Sequence, residues 1–576
     1  MRYRVFSWHM EARRKSRLSK TRIMVEENPC GTLVLATGSQ PRGTRAKDSR
    51  MSTPSNAQRL VEAEENKWRP AANPWMIAAS VMIATFMVVL DSSVANVALP
   101  HIAGNLSAST DESTWVLTSY LVSNAIMLPA SGWIARRIGR KRLLLVSILL
   151  FTAASLLCGM AINMPMLIVA RILQGVGGGG MQPLAQSILL ESFPPRKHGT
   201  AMAVYGVGVV VAPVIGPTLG GWITDSYSWR WIFYINLPIG ILALFMVNLY
   251  VEDPPYLRKA FRGAIDYLGF GLMALWLGTL QLVLDKGQEA DWFAATWVRW
   301  TMAVSTVALI GFIVRELTDR EPIVQLRVFL DRNFSVGTLI TCIYGCVLYG
   351  ATAMLPLFLQ TMLGYSALQS GLAVSPRGIG AMASMIAAGI LVRYIDGRLL
   401  MAFGFALLGY STWMLGQISL EIGMASVIVP NVINGFAMGF IFVPMTTMTL
   451  SRLRKQEMGN ATGIFNLMRN IGGSIGIASI ITLLVRGSQT HQNYLAADAG
   501  AGNPLVSGLV HGLQAKLFAE GADAYTAHQK ALGALYRIAQ QQASLLAYAD
   551  NFRLLAFLSL LCIPLILLFQ RVKKHS

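Results

Sequence analysis

From residue 74 onward, apolar runs of about twenty residues alternate with short polar breaks, and a run of that length crosses the hydrocarbon core of a bilayer as a helix. Fourteen such spans are expected, at 75–98, 114–133, 143–162, 165–189, 199–223, 231–250, 264–284, 297–314, 334–360, 367–392, 398–417, 423–449, 459–485 and 552–570. The expected fold is therefore an all-α polytopic membrane protein. Lys and Arg concentrate in every second break: Arg136 to Arg142 after span two, Arg196 and Lys197 after span four, Arg258, Lys259 and Arg262 after span six, and Arg452, Arg454 and Lys455 after span twelve. Arg571, Lys573 and Lys574 close the chain. Positive residues stay on the cytoplasmic side, so both termini are expected there. One long outer loop is expected at about 487–550. Its amphipathic patterns at 505–518 and 524–546 suit a cap over the outer face or a docking surface for a periplasmic partner.

Composition narrows the class further. Only 13% of residues are charged against 54% hydrophobic, where a soluble protein carries roughly a quarter charged. The net charge of +19 resides in short loops and in the first fifty residues, so it gives no reason to expect a nucleic-acid partner. Residues 1–73 read as a disordered basic cytoplasmic tail. Met51 opens a more ordinary leader, MSTPSNAQRL, and is a candidate true start. The five cysteines are scattered, four of them in apolar segments, and the seven histidines lack zinc spacing, so neither a disulfide framework nor a metal site is expected. Cys342 and Cys346 share a helix face and read as packing residues. No nucleophile–base set or phosphate loop appears, so an enzyme is not expected.

Residues 206–222, GVGVVVAPVIGPTLGGW, set Gly208, Ala212, Gly216 and Gly220 four apart, with Gly221 following. That spacing leaves one helix face without bulky side chains, so another helix can approach closely. Pro213 and Pro217 remove backbone donors and are expected to bend the helix into a hinge.

Self-comparison shows a repeat. Gly199-Thr-Ala201 returns as Gly459-Asn-Ala461, Ile215-Gly216 as Ile475-Gly476, and Arg171-x-x-Gln174-Gly175-x-x-x-Gly179 as Asn431-x-x-Asn434-Gly435-x-x-x-Gly439, all at an offset of 260. Leu99-Pro100 returns as Leu355-Pro356, and Gly132-x-x-x-Arg136 as Gly389-x-x-x-Arg393, at 256 and 257. The expected organisation is one six-helix half over 74–250, two inserted helices over 251–333, a second half over 334–571 that includes the loop, and a short cytoplasmic tail, 572–576. Two repeated halves with a solute site between them is transporter architecture. Gly472 and Gly476 partly repeat the glycine stripe, whereas Pro213 and Pro217 align with Gly473 and Ile477. The proline pair is thus specific to the first half.

Ionisable groups inside a bilayer are costly and usually functional. Asp91 is the one carboxylate placed well inside a span. Burial favours its neutral form, so it is a candidate proton carrier, with Arg171 as its counter-charge or as a substrate contact. The alternative is a permanent Asp91–Arg171 ion pair that locks helices together. Asn96, Gln174, Arg377, Asn466 and Arg469 are candidate lining residues of a substrate cavity, although Arg377 and Arg469 could instead snorkel to the cytoplasmic surface. The excess of arginine over aspartate permits anionic substrates. In GWIARRIGRKR, Gly132 and Gly139 allow tight turns, and Arg136, Arg137 and Arg140 either anchor topology or hold an inward gate shut.

These residues carry a resemblance to the major facilitator superfamily, and within it to the fourteen-span drug:proton antiporters of the EmrB/QacA type. LDSSVANVALP (90–100) resembles the first-helix signature, with Asp91 at its acidic position. GWIARRIGRKR (132–142) resembles the loop signature, ARILQGVGGGG (170–180) the fourth-helix signature, and 206–222 the fifth-helix antiporter signature. WRWIFYINLPIG (229–240) and QASLLAYADNF (542–552) resemble this branch in particular. Arg136 occupies the acidic position of the loop signature, so that acid's gate-locking salt bridge does not carry over and the inward gate is left open to question. The resemblance implies proton-driven export of hydrophobic and amphipathic toxic compounds across a bacterial inner membrane, with no cofactor beyond the proton gradient. In a Gram-negative host it also implies a periplasmic membrane-fusion adaptor and an outer-membrane channel. A proton-coupled carrier of one organic anion, exporter or importer, is the nearer alternative; a non-transporting membrane sensor is the remoter one.

Overall fold

The computed structural model describes residues 70–254, 266–319, 322–498 and 504–570. The basic tail with Met51, the basic residues at 258–262 and those after 570 lie outside the described residues.

Among the described residues there are eighteen α-helices, and short 3-10 turns join some of them. The first half comprises α1 (Pro74–Asn105), α2 (Thr110–Ile138), α3 (Arg140–Gly159), α4 (Met164–Gly179), α5 (Met181–Ser192), α6 (His198–Ser226), α7 (Trp231–Tyr234) and α8 (Asn236–Tyr250). The hairpin α9 (Tyr267–Lys286) and α10 (Thr296–Thr318) follows. The second half comprises α11 (Arg332–Thr361), α12 (Ala367–Val374), α13 (Pro376–Leu391), α14 (Gly397–Leu415), α15 (Met424–Leu450), α16 (Met458–Asp498), α17 (Pro504–Ala519) and α18 (Ala524–Ile566). Local chemistry sets the starts. Asn73 caps α1, accepting from the Trp75 N–H at 3.0 Å ahead of Pro74, and Ser109 with Glu112 forms a capping box on α2. Between α2 and α3 the chain turns on Gly139, whose φ of 94° suits glycine alone.

Among the described residues, 12 helices are long and apolar enough to cross a membrane. The expected spans at 114–133 and 165–189 are helical but fall outside that set. The first is rich in Ser and Thr, and the second breaks at Gly180 into α4 and α5. Within the expected outer segment 487–550, the amphipathic patterns at 505–518 and 524–546 are helical, in α17 and α18. α16 runs on to Asp498, and α18 begins at Ala524 and continues unbroken to Ile566. The polar switch at Arg486 marks where the helix leaves the apolar medium, not where it ends. At 41 and 43 residues, these helices are about 60–65 Å long, roughly twice the hydrocarbon thickness.

In the first half α1 packs on α6 and α8, and α4 on α2 and α3; in the second α11 packs on α16, and α13 and α14 on α15. The halves meet along two seams, α2 on α16 and α6 on α13. The glycines of the internal repeat face each other across both. A Cβ on Gly132 would meet the Gly459 carbonyl, and one on Gly389 would approach Gly199 and Ala203. The hairpin lies over the first seam only, with α9 against both α2 and α16. It is sparsely covered: 28% and 22% of its two spans are buried, against 67% for α1.

Candidate transport site

The glycines of α4 bring it close enough to α2 and α3 to bury a charge. A Cβ on Gly175 would strike the Tyr120 carbonyl, and one on Gly177 the Phe151 amide. Arg171, one turn earlier, is fully buried. Its Nη1 lies 2.6 Å from Asp91 Oδ2 and donates to Gln174 Oε1 at 2.7 Å; its Nε donates to the Val116 carbonyl at 3.0 Å. The guanidinium sits 4.3 Å above the Tyr120 ring. Asp91 Oδ1 accepts from Gln174 Nε2 at 2.8 Å and from Asn236 Nδ2 at 2.7 Å, and Ser155 bridges the two amides. Both carboxylate oxygens are thus engaged.

The glycine stripe presses α6 onto the helix that carries Asp91. A Cβ on Gly208 would meet Met82, one on Gly216 Ser93, and one on Gly220 Val94, while Gly221 borders Val97. In the second half Gly472 and Gly476 press on the backbone of Cys342 and Cys346 in α11. α6 stays helical through Pro213, which is exposed, and Pro217, which is half-buried.

The five residues expected to line one cavity divide into separate groups. Gln174 is sealed in the Asp91 cluster, and Asn96 is exposed on α1. Asn466 and Arg469, one turn apart on α16, reach α5 of the other half: Asn466 Nδ2 donates to Gln186 Oε1 at 2.7 Å, and Arg469 Nη2 to Gln182 Oε1 at 2.8 Å. Thr462 Oγ1 extends this ladder, donating to the Pro183 carbonyl at 3.0 Å. Arg377 is buried on α13 and donates from Nη1 to Thr352 Oγ1 at 2.8 Å. Arg377 and Arg469 are 9% and 6% exposed, so neither snorkels.

At the end of the seams that bears the basic residues, Arg140 forms a buried ion pair with Glu191 at the end of α5. Its Nη2 also crosses to the Lys455 carbonyl of the second half at 3.2 Å. Arg137 stacks on Trp133, 5.1 Å from its ring centroid. Arg136 donates to the Pro322 carbonyl, just after α10, at 3.3 Å. Beside it Gln325 and Asn460 exchange two hydrogen bonds. On the other seam Arg393, the repeat counterpart of Arg136, bonds directly across to Thr200.

The sequence profile of the Major Facilitator Superfamily matches residues 81–477. The chain belongs to that superfamily. Among major facilitators, it is 38% identical over 437 residues to the multidrug export protein EmrB of Haemophilus influenzae, covering 76% of this chain and 85% of that one. It is 39% identical over 426 residues to the fatty acid resistance protein FarB of Neisseria gonorrhoeae, covering 74% and 83%. The crystal structure of the human organic anion transporter MFSD10 (TETRAN) superposes with a TM-score of 0.54 at 12% identity, over 84% of this chain and 99% of that one; that likeness concerns the fold alone.

Hydrogen bonds and an ion pair place several polar residues that sequence reasoning missed. Asn236 and Ser155 complete the Asp91 cluster, Gln182 and Gln186 supply the contacts between the halves, and Glu191 holds Arg140. Each is an isolated polar group within or at the end of an apolar run, and that isolation was the available signal.

Proposed function

We propose that this protein is a proton-driven multidrug efflux permease of a bacterial inner membrane, exporting hydrophobic and amphipathic compounds by alternating access between its two halves. The observation that carries the reading is the sealed Asp91–Arg171 pair, 2.6 Å apart, inside one of two repeated halves. The multidrug export name of its relatives supports it.

In this reading both termini are cytoplasmic. The closed ends of the seams bear Arg140, Arg393 and Lys455, and basic loops stay inside. The described conformation is then shut toward the cytoplasm. A proton taken up by Asp91 from outside frees Arg171 and loosens α1 from α4. The halves rock, and the cavity faces inward. Substrate binding and proton loss on the inner side restore the pair and return the cycle. Proton entry down its gradient supplies the energy, with no other cofactor. In a Gram-negative host a membrane-fusion adaptor and an outer-membrane channel complete the route, and the far ends of α16 and α18 with α17 are the surface offered to them.

Purified protein in proteoliposomes tests this. With an imposed proton gradient, an amphipathic drug should stimulate proton release from the wild type and not from Asp91→Asn. Full coupling in that variant removes Asp91 as the carrier. No flux of any amphipathic compound removes the transport reading itself.

A further inference from the structure

The internal repeat produces two equivalent seams between the halves, and they are finished differently. At the first, the inserted hairpin lies over α2 and α16, and Arg136 donates to the Pro322 carbonyl just beyond it. At the second, α6 and α13 converge where Gly199 faces Gly389, and a groove of about 360 Å³ runs along their exposed flank. Its floor is Ala203 and Gly389, both buried; its walls are Val204 and Val207 of α6 and Ile386 and Ile390 of α13. The two isoleucines are 58% and 54% exposed, so the groove faces outward, and both helices are membrane spans. Residues three and four apart share a helix face, which makes the groove a trough along the seam. Its volume falls within the roughly 300–1,000 Å³ of small-molecule sites.

The trough has a charged end. Thr200 closes it toward the basic side and accepts a hydrogen bond from Arg393 of the other half. Arg393 lies one turn beyond Gly389 and continues the lining stripe of α13. Arg196 and Lys197 occupy the turn that enters α6. All three cations are exposed, and none is in an ion pair among the described residues. The acid nearest in the chain, Asp396, is engaged as the cap of α14, accepting from the Arg398 N–H at 3.0 Å. An apolar trough that ends in cations fits a phospholipid. The tail exchanges one apolar setting for another and gains little, so the headgroup sets the preference. Basic side chains at the membrane surface select anionic headgroups, and a guanidinium binds phosphate oxygens through charge-assisted hydrogen bonds.

We propose that the α6–α13 groove binds one phospholipid with an anionic headgroup, its acyl chain in the trough and its phosphate on Arg393. The repeat supplies the parallel. At the first seam Arg136, the counterpart of Arg393, receives a carbonyl oxygen from the protein's own chain; at the second, a lipid phosphate oxygen takes that place. The trough has one wall from each half, so it exists only while this end of the seam is closed. A lipid that binds the closed conformation alone shifts the population toward it. On the efflux reading that conformation is shut toward the cytoplasm, and this consequence alone rests on that reading.

The test is photolabelling of the full chain in nanodiscs, using a phosphatidylglycerol with a diazirine on its acyl chain, followed by peptide mapping. Label should fall on 200–207 and 386–390. Unlabelled phosphatidylglycerol should displace it about fivefold better than phosphatidylcholine of the same chains, the discrimination expected of one basic side chain at a membrane surface. Arg393→Gln should erase that preference, and Arg393→Lys, which keeps the charge, should keep most of it. Val204→Trp, which fills the trough, should lose the label there and keep it elsewhere. A monodisperse size-exclusion peak shows that a variant is folded; if Arg393→Gln gives none, the wild-type competition and Val204→Trp decide. Equal displacement by the two lipids, or an undiminished preference in Arg393→Gln, overturns the site. In the same nanodiscs phosphatidylglycerol should slow alkylation of Asn460→Cys relative to phosphatidylcholine, and adding Arg393→Gln should abolish the difference. Equal alkylation in both lipids overturns the shift toward the closed conformation. Labelling is read without transport, so a failure of export in proteoliposomes would count against the efflux reading alone.

Discussion

Gly132 of α2 lies so close to the start of α16 that a Cβ added to it would stand 2.7 Å from the Gly459 carbonyl oxygen and 2.8 Å from the Asn460 amide nitrogen. Only backbone meets that Cβ, so no side chain can rotate away. Gly132→Ala should therefore destabilise the conformation closed at this end by about 1–3 kcal/mol, the usual range for overpacking. A cysteine at Asn460 should then be alkylated faster in Gly132→Ala than in the parent. Unchanged alkylation would mean the seam is not what excludes the reagent.

The Asp91–Arg171 pair separates structural from coupling roles. Removing one partner strands the other, so Asp91→Ala and Arg171→Ala should each lose about 3–5 kcal/mol. The double variant Asp91→Asn/Arg171→Gln removes both charges and should recover much of that loss. Thermal unfolding followed by reagent access to buried Cys158 and Cys562 reads the stability. Drug-stimulated proton release should stay absent in the double variant. If it returns, the pair is a helix lock only.

Glu191 should act as the acid of the closed end. Glu191→Gln takes the acid out of its buried ion pair with Arg140, and removing one member of a buried pair costs about 3–5 kcal/mol. The cysteine at Asn460 reports it again. Arg140→Gln on the Glu191→Gln background should restore part of the protection.

The inserted hairpin joins the two halves. Gln281 exchanges hydrogen bonds with Ser474, and Trp292 Nε1 donates to Thr482 Oγ1 at 2.9 Å, both on α16; Lys286 Nζ donates to Thr114 Oγ1 of α2 at 2.6 Å. Gln281→Ala with Trp292→Phe should lower stability by about 1–3 kcal/mol, at roughly 0.5–1.5 for each hydrogen-bonded contact. The same cysteine-access melt measures it, and an unshifted melt would show that the hairpin is not fastened there.

Asp523 caps α18 outside the membrane. Hydrogen bonds from Thr526, by side chain and by backbone, hold its carboxyl below the usual aspartate range. A depressed carboxyl contributes stability above its unfolded value, and that contribution is lost as pH falls through its folded value. Hydrogen exchange in the first turn of α18 should therefore quicken only below about pH 4, the ordinary aspartate range. Asp523→Asn, which can still accept the Thr526 N–H, should flatten that response.

Much of this was legible in the chain. Apolar runs located the helices because a bilayer forces every backbone donor and acceptor to pair within its own segment. The repeat named Gly132, Gly199, Gly389 and Gly459 before their contacts were known. Over 487–550 the helical patterns at 505–518 and 524–546 were legible, whereas hydropathy, which reports the medium around a helix, did not show that α16 and α18 run unbroken into that stretch. Hydropathy places Gln174 and Arg469 inside the membrane but does not say which way they face.

The sequence by itself determined that this chain is a bundle of membrane-crossing helices in two repeated halves, since helix length and solvent preference are properties of single segments. Only the tertiary structure decided the partners: Asp91 with Arg171, Arg140 with Glu191, Arg469 with Gln182, and Arg377 with the Thr352 hydroxyl. These pairings depend on the rotation of each helix about its axis and on how closely its neighbours approach. Both are set by packing among segments far apart in the chain.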